Sequence, residues 1–276
     1  MKIRLIATDM DGTFLDDKKQ IPEANWQALL ACAARGIQIV PATGRTVRGI
    51  PDRIRTLPGV RYAITTNGAV VADLKEDRII STCRIPVDTA LRVLEMARDS
   101  GDDIMYDAYM DGIGCTTQYF YDHAERYAVS AGVAALIRKT RRVVPDNIRY
   151  VKEMGKEIDK INMFFTDMEA RKRMRVSLGQ IPGILVTSSI PNNLEINAAG
   201  ADKGSALLRL AEFLGIGREE TMAFGDGEND LSMLRAAGLG VAMENGEEQV
   251  KQAADFVTVS NNDAGVASAI RKIVLE

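Results

Sequence analysis

The chain has 276 residues, 46% hydrophobic and 26% charged, enough for one large or two medium domains with an adequate core. A formal net charge of −3 and an isoelectric point near 5.5 argue against a nucleic-acid binder that works by neutralising phosphates. No apolar run approaches the roughly 18 residues of a membrane span, and Asp9 and Asp11 interrupt the N-terminal apolar segment too soon for a secretory signal, so a cytoplasmic location is expected.

In chain order, Leu5-Ile6-Ala7-Thr8 reads as a buried strand ending in Asp9-Met10-Asp11-Gly12-Thr13. Residues i and i+2 of a strand point the same way, so Asp9 and Asp11 can face one cavity. Pro22 to Arg35 reads as a helix, with proline at its start, Glu23 near its positive end and Gly36 as a left-handed stop. Ile37 to Val40 is a β-branched strand running into Pro41-Ala42-Thr43-Gly44-Arg45, and Tyr62 to Thr66 another, running into the turn signal Asn67-Gly68. Val70–Asp73 and Arg78–Arg84 around that turn suggest a small hairpin. Strand–helix–strand repetition implies an α/β fold, a parallel sheet with helices on its faces, whose ligands sit beyond the carboxyl ends of the strands.

From about Pro86 the pattern changes. Val87 to Ser100 is a helix, Ile104 to Met110 and Gly112 to Thr117 form a hairpin around Asp111-Gly112, and a helical, basic stretch runs to Arg142. Lys160 to Phe165 is strand-like, and Met168 to Leu178 is a helix whose Arg171, Lys172, Arg173 and Arg175 read as a solvated face. Ile184 to Ser189 and Asn193 to Asn197 read as further strands. Paired strands with single helices imply an antiparallel sheet with helical cover, an inserted α+β module. Strand–helix alternation then returns with a helix from Lys203 to Leu214 and a strand, Thr221 to Phe224, delivering Gly225-Asp226-Gly227-Glu228-Asn229-Asp230. Residues 1–85 and 191–276 are expected to form one domain and 86–190 the insert.

Cys32, Cys83 and Cys115 form no zinc-type pair and no disulfide framework, and His123 is the single histidine, so acid–base chemistry falls to carboxylates. The four polar stretches supply what a phosphate monoester and a divalent metal require. Asp9 can be the nucleophile, forming an aspartyl-phosphate. Asp11 can protonate the leaving group and then deprotonate the attacking water, for which its pKa must be raised by burial or by Asp9. The Thr43 hydroxyl, the Gly44 amide and Lys203 can hold phosphate oxygens. Asp226, with Asp9 and a backbone carbonyl near Asp11, can supply oxygen ligands to magnesium, with Asn229 and Asp230 as further ligands or supports.

Asp9-Met10-Asp11-Gly12-Thr13, Thr43-Gly44-Arg45, Lys203-Gly204 and Gly225 to Asp230 together resemble the four ordered motifs of the haloacid-dehalogenase-like phosphatases. Asn67-Gly68-Ala69 and Asn193-Leu194-Glu195-Ile196 resemble marks of the Cof-type branch with a type-IIB cap. The resemblance implies a Rossmann-like core, a mobile cap and a Mg2+-dependent phosphatase of small phosphorylated metabolites, most often sugar phosphates. It implies the same roles for Asp9, Asp11, Thr43, Lys203 and Asp226, with Arg45, Asn67, Asn229 and Asp230 supporting them. Asn197 to Asp202 depart from the pattern, since relatives often carry a proline and a serine before the lysine. Alternatives left open are a phosphotransferase of the phosphomannomutase type and a non-catalytic phosphosugar-binding regulator. Specificity is expected from the cap, with Tyr106, Tyr109, Arg126 and Arg149 as candidates. Nothing in the sequence fixes an oligomeric state.

Overall fold

In the computed structural model, which describes residues 2–276, the Leu5–Thr8 strand is buried along its whole length and lies inside a sheet. Gln38–Pro41 pairs with it on one side and Thr221–Gly225 on the other, followed by Leu239–Met243 and Phe256–Thr258. All five strands of this sheet are parallel. Apolar runs as continuous as Leu5-Ile6-Ala7 require cover on both faces, and both are covered. Helices Glu23–Ala34 and Gly265–Ile270 close a core around Ile6, Leu29, Ile39 and Phe224. On the opposite face, helices Lys203–Phe213, Leu231–Ala236 and Glu248–Ala253 close another around Leu5, Val40, Leu207 and Ala242. Tyr62–Thr65 continues beside the sheet through the Ala42–Ile64 bridge, then opens an antiparallel meander with Val70–Asp73 and Arg78–Thr82. Asn67 takes the turn with a φ of 59°, the left-handed region that asparagine tolerates.

Cys83–Ala201 forms a second compact unit, and the residues up to Thr82 together with Asp202–Glu276 form the first. Within the second, six strands run in the order Ile184–Thr187, Asn193–Ala198, Lys160–Phe165, Ile104–Met110, Ile113–Thr117 and Arg141–Val144. Helix Val87–Asp99 buries Ala90, Val93, Leu94 and Ala97, the i, i+3, i+4, i+7 stripe of an amphipathic helix. It packs on one face of this sheet with helices Asn147–Met154 and Met168–Leu178. Part of the other face lies under Gln118–Asp122, Ala124–Tyr127 and Ala131–Thr140, where Met105 and Phe164 meet Ala124, Tyr127, Ala134 and Ile137.

Three expectations change. The expected boundary at 190 moves to 201, because Asn193–Ala198 pairs with Lys160–Phe165 and Ile184–Thr187 and so belongs to the second unit. The inserted sheet is not wholly antiparallel. Arg141–Val144, expected as the end of a helical stretch, pairs parallel with Ile113–Thr117, and the helices between them supply the crossover such a pair needs. The basic helix face is also less free than its composition suggests. Arg171 donates to the Asn193 carbonyl and the Ser188 hydroxyl, Lys172 pairs with Glu169, and Arg173 with Asp102.

Candidate active site

Parallel pairing delivers three strand ends side by side. Thr8 is in register with both Pro41 and Phe224, so Asp9, Thr43 and Asp226 all leave from the same edge of the first unit's sheet. That edge is where open α/β sheets hold ligands. The Asp9 N–H donates to the Phe224 carbonyl at 3.0 Å, which fixes the loop as it leaves the strand.

The side chains converge on one ammonium. Lys203, fully buried in the first turn of its helix, donates to Asp9 Oδ1 and to Asp230 Oδ1, each at 2.6 Å. Asp230 Oδ2 accepts from the backbone N–H groups of Asp226 and Gly227 at 3.0 and 3.1 Å, and the Thr13 hydroxyl donates to Asp226 Oδ1 at 2.5 Å. Carboxylate oxygens of Asp9, Asp226 and Asp230 lie within 4.8 Å of one another. Two glycines permit this crowding. A Cβ on Gly12, whose φ is +87°, would stand 2.4 Å from Asp226 Oδ2, and one on Gly225 would stand 2.4 Å from the Asp230 Cβ.

Two of these three carboxylates share one ammonium and the third has none, and the electrostatics record the imbalance. Burial raises the Asp9 pKa well above the usual carboxylate range; Lys203 opposes this, while Asp230 and Asp226 add to it. Asp226 is pushed up to about 7, chiefly by burial and by the charge of Asp230. Burial alone would lower the Lys203 pKa, but Asp230 and Asp9 outweigh it and keep the ammonium protonated. Buried negative charge in excess, carried by hard oxygens, fits a divalent cation such as magnesium.

Asp11 departs from expectation. Its side chain does not join the cluster. Arg45 grips it through two hydrogen bonds, Nε to Oδ2 at 2.8 Å and Nη2 to Oδ1 at 2.7 Å, and Lys19 adds a contact at 2.9 Å. Burial raises its pKa, but Arg45 and Lys19 more than cancel that and hold it below the ordinary value. The raised pKa expected from burial and from Asp9 is therefore corrected for this arrangement.

Thr43 is buried, its N–H donating to the Ile64 carbonyl and its hydroxyl accepting from the Arg45 N–H at 3.1 Å. Gly44 lies between these two residues. The Asn229 side-chain amide donates to Asn67 Oδ1 at 3.2 Å, joining two polar stretches 162 residues apart. Asp230 belongs to the carboxylate cluster itself. The structure adds residues to which the sequence assigned no role: Thr13, Lys19 and Asn245, whose side-chain amide donates to the Gly12 carbonyl at 2.8 Å. Thr13 stands inside the first polar stretch, so its position there was a usable signal. Lys19 and Asn245 carry no local signal, since a lone surface-type lysine or asparagine in a loop has no pattern.

The model of the haloacid dehalogenase-like hydrolase family matches residues 6–270. A 5-amino-6-(5-phospho-D-ribitylamino)uracil phosphatase of Bacillus subtilis, YcsE, is 31% identical over 99% of this chain and 96% of its own length. The pyridoxal phosphate phosphatase YbhA of Escherichia coli is 27% identical over 98% of each chain. Among solved structures, the subclass IIB sugar phosphatase BT4131 superposes with a TM-score of 0.82 at 25% identity, covering 99% of this chain and 100% of that one. No helix among the described residues is long and apolar enough to cross a membrane. With the family's matched span holding every residue of the carboxylate–lysine cluster, the chain belongs to the haloacid dehalogenase-like hydrolases, in the Cof-type branch with a type-IIB cap, and is a phosphatase.

Proposed function

We propose that this phosphatase is magnesium-dependent, acts on small phosphorylated metabolites including sugar phosphates, and works through a phosphoryl group carried on Asp9. The observation that carries the reading is the buried Asp9 carboxylate, held by Lys203 at a strand end beside two further carboxylates. The relatives' named substrates, a phosphoribitylamino uracil and pyridoxal phosphate, and a sugar phosphatase as structural neighbour, support the substrate class.

Lys203 fixes Asp9 Oδ1, and Oδ2 attacks phosphorus in line with the ester oxygen. The ester P–O bond breaks, an Oδ2–P bond forms, and Asp11 gives a proton to the leaving oxygen. Water then attacks the phosphorus, Asp11 takes its proton, and the Asp9–phosphate bond breaks to release inorganic phosphate. Because Arg45 and Lys19 hold Asp11 ionised, the acid step requires that grip to loosen when substrate is bound. The Thr43 hydroxyl, the Gly44 amide and the Lys203 ammonium receive phosphate oxygens. Asp9, Asp226 and a backbone carbonyl near Asp11 would hold the magnesium, with Asp230 positioning Lys203, and the ion when bound supplies charge neutralisation on the transferring group. The first unit thus acts as the catalytic domain and the second as the specificity domain.

The test is phosphate release from sugar phosphates, nucleotides, pyridoxal phosphate and p-nitrophenyl phosphate, with and without magnesium. Release should need the metal and fall by roughly 10³-fold or more in Asp9→Asn, the scale seen when a nucleophile is removed. Turnover that survives this substitution would overturn the mechanism.

A further inference from the structure

Two cations meet on one carboxylate at the edge of the first unit's site. Arg45 takes both oxygens of Asp11 in a fork, and Lys19 reaches Asp11 Oδ1 at 2.9 Å. Unlike the carboxylate–lysine cluster beside it, this group carries positive charge in excess. It is also open to solvent, the side chains of Asp11 and Lys19 being 37% and 58% exposed. A ligand can reach it, and the planar fork of an arginine fits the edge of any carboxylate or phosphate.

Neither cation depends on Asp11 for its place. The Arg45 carbonyl accepts from the Thr66 N–H, the Arg45 N–H donates to the Thr43 hydroxyl, and Nη1 donates to the Gly49 carbonyl at 3.2 Å. Only Nε and Nη2 are spent on Asp11. Lys19 is presented by a tight turn in which the Asp16 N–H donates to the Gln20 carbonyl, the Lys19 N–H to the Asp16 carbonyl, and the Gln20 N–H to Asp16 Oδ1. The turn holds Lys19 at a φ of 61°, a left-handed backbone that a lysine keeps only where the surroundings enforce it. Its base is tied down at Asp17, which exchanges two hydrogen bonds with Asn262 and accepts a third from Asn261. A turn braced in this way keeps the lysine's stem beside Arg45 when Asp11 leaves.

Asp11 has to leave. As the general acid it must touch the ester oxygen, and so short a side chain moves its oxygens only a few ångströms between rotamers. The first atoms of the leaving group therefore lie within that reach of Arg45 and Lys19. Once Asp11 is on the ester oxygen, the two cations lack their anion. A neutral leaving group does not offset that loss, whereas an anionic one does by taking the position Asp11 gave up. The present occupant, a carboxylate held bidentately, defines the chemistry of its replacement. We infer that Arg45 and Lys19 form a specificity site, within the first unit itself, for an anionic group that the leaving group carries next to the ester oxygen, a carboxylate above all, and that this group displaces Asp11 into its catalytic position. The inference rests on the phosphatase reading above for the role of Asp11; binding of the second anion is measured without turnover.

2-Phosphoglycerate and glycerol 2-phosphate differ only in a carboxylate that replaces one hydroxymethyl group on the ester carbon. Binding of both is measured by titration calorimetry in the Asp9→Asn background with magnesium present, and kcat/KM for both with Asp9 intact, each with and without Lys19→Met. 2-Phosphoglycerate is expected to be preferred by about tenfold or more in both measurements, and Lys19→Met to remove about fivefold of that preference, the scale of a hydrogen bond to a charged group. The substitution should also move the two kcat/KM values in opposite directions. The value for 2-phosphoglycerate should fall, because a contact is lost. The value for glycerol 2-phosphate should rise, because Arg45 alone then holds Asp11. Equal falls would make Lys19 structural, and equal rises would make it only a restraint on Asp11; either result overturns the inference, as does a parent protein that shows no preference. The phosphatase reading is judged separately, on phosphate release from p-nitrophenyl phosphate, whose leaving group needs no proton and carries no carboxylate.

Discussion

Each unit buries a lysine among carboxylates, and the two do so differently. In the first unit Lys203 serves both Asp9 and Asp230 while Asp226 stands close by, leaving negative charge in excess. In the second, Lys160 pairs with Glu195 and Arg141 with Asp107, so the cations match the anions in number. A protein interior tolerates matched pairs and strongly disfavours an unmatched charge. An unbalanced cluster therefore calls for a cation and a charged reactant, whereas a balanced one does not. The balance of charge separates the two clusters without reference to any relative.

The most direct challenge to this contrast is to remove the lysines. Lys203→Met should cost roughly 3–5 kcal/mol in denaturant titration and abolish phosphate release, because it strands two buried carboxylates. Lys160→Met should cost a similar amount, since it strands Glu195. The units then part company. Adding Glu195→Leu to Lys160→Met should restore stability to within about 1 kcal/mol of the parent, as replacing a whole buried pair often does. Adding Asp230→Leu to Lys203→Met should not, because Asp9 and Asp226 remain.

Magnesium should widen the same difference. At about one hundred times its dissociation constant it should stabilise the protein by roughly 2.7 kcal/mol, read as a rise in melting temperature that Asp226→Asn largely removes. Lys160→Met/Glu195→Leu should keep the full rise. Should magnesium leave the melting temperature unmoved, the excess charge of the first unit has been misread. Gly12→Ala comes next in size. Its methyl would meet Asp226 at a backbone φ that disfavours side chains, so it should lower both magnesium affinity and stability.

The smallest effect concerns Asp103 in the second unit, which accepts from Tyr127, Arg126 and Thr166. Burial raises its pKa, but these hydrogen bonds outweigh it and the folded-state value is depressed. A depressed carboxyl contributes stability that is fully present above its unfolded value of about 3.9 and lost as pH falls through the folded value. Asp103→Asn should therefore cost about 1 kcal/mol at pH 7 and progressively less below pH 4, measured by urea titration across pH.

Much of the first unit is legible in the chain because its signals are local. The β-branched and apolar runs ending in Asp9, Thr43 and Asp226 announce strands and their ends within a few residues, and parallel pairing then forces those ends to one edge. The insert is harder to delimit. Asn193–Ala198 looks the same in sequence whichever sheet it joins, and Arg141–Val144 follows a helix with no turn signal between them.

Backbone periodicity and turn chemistry act over short spans, so the α/β alternation, the polar stretches at strand ends and the family they resemble could all be read from the order of residues alone. Folding in three dimensions was needed to set Asp11 in the grip of Arg45 and Lys19 and to make Asp230 share the ammonium with Asp9. Such outcomes depend on which distant groups share a buried space. Desolvation there strengthens every pairing and penalises every omission, and no local pattern encodes that energy.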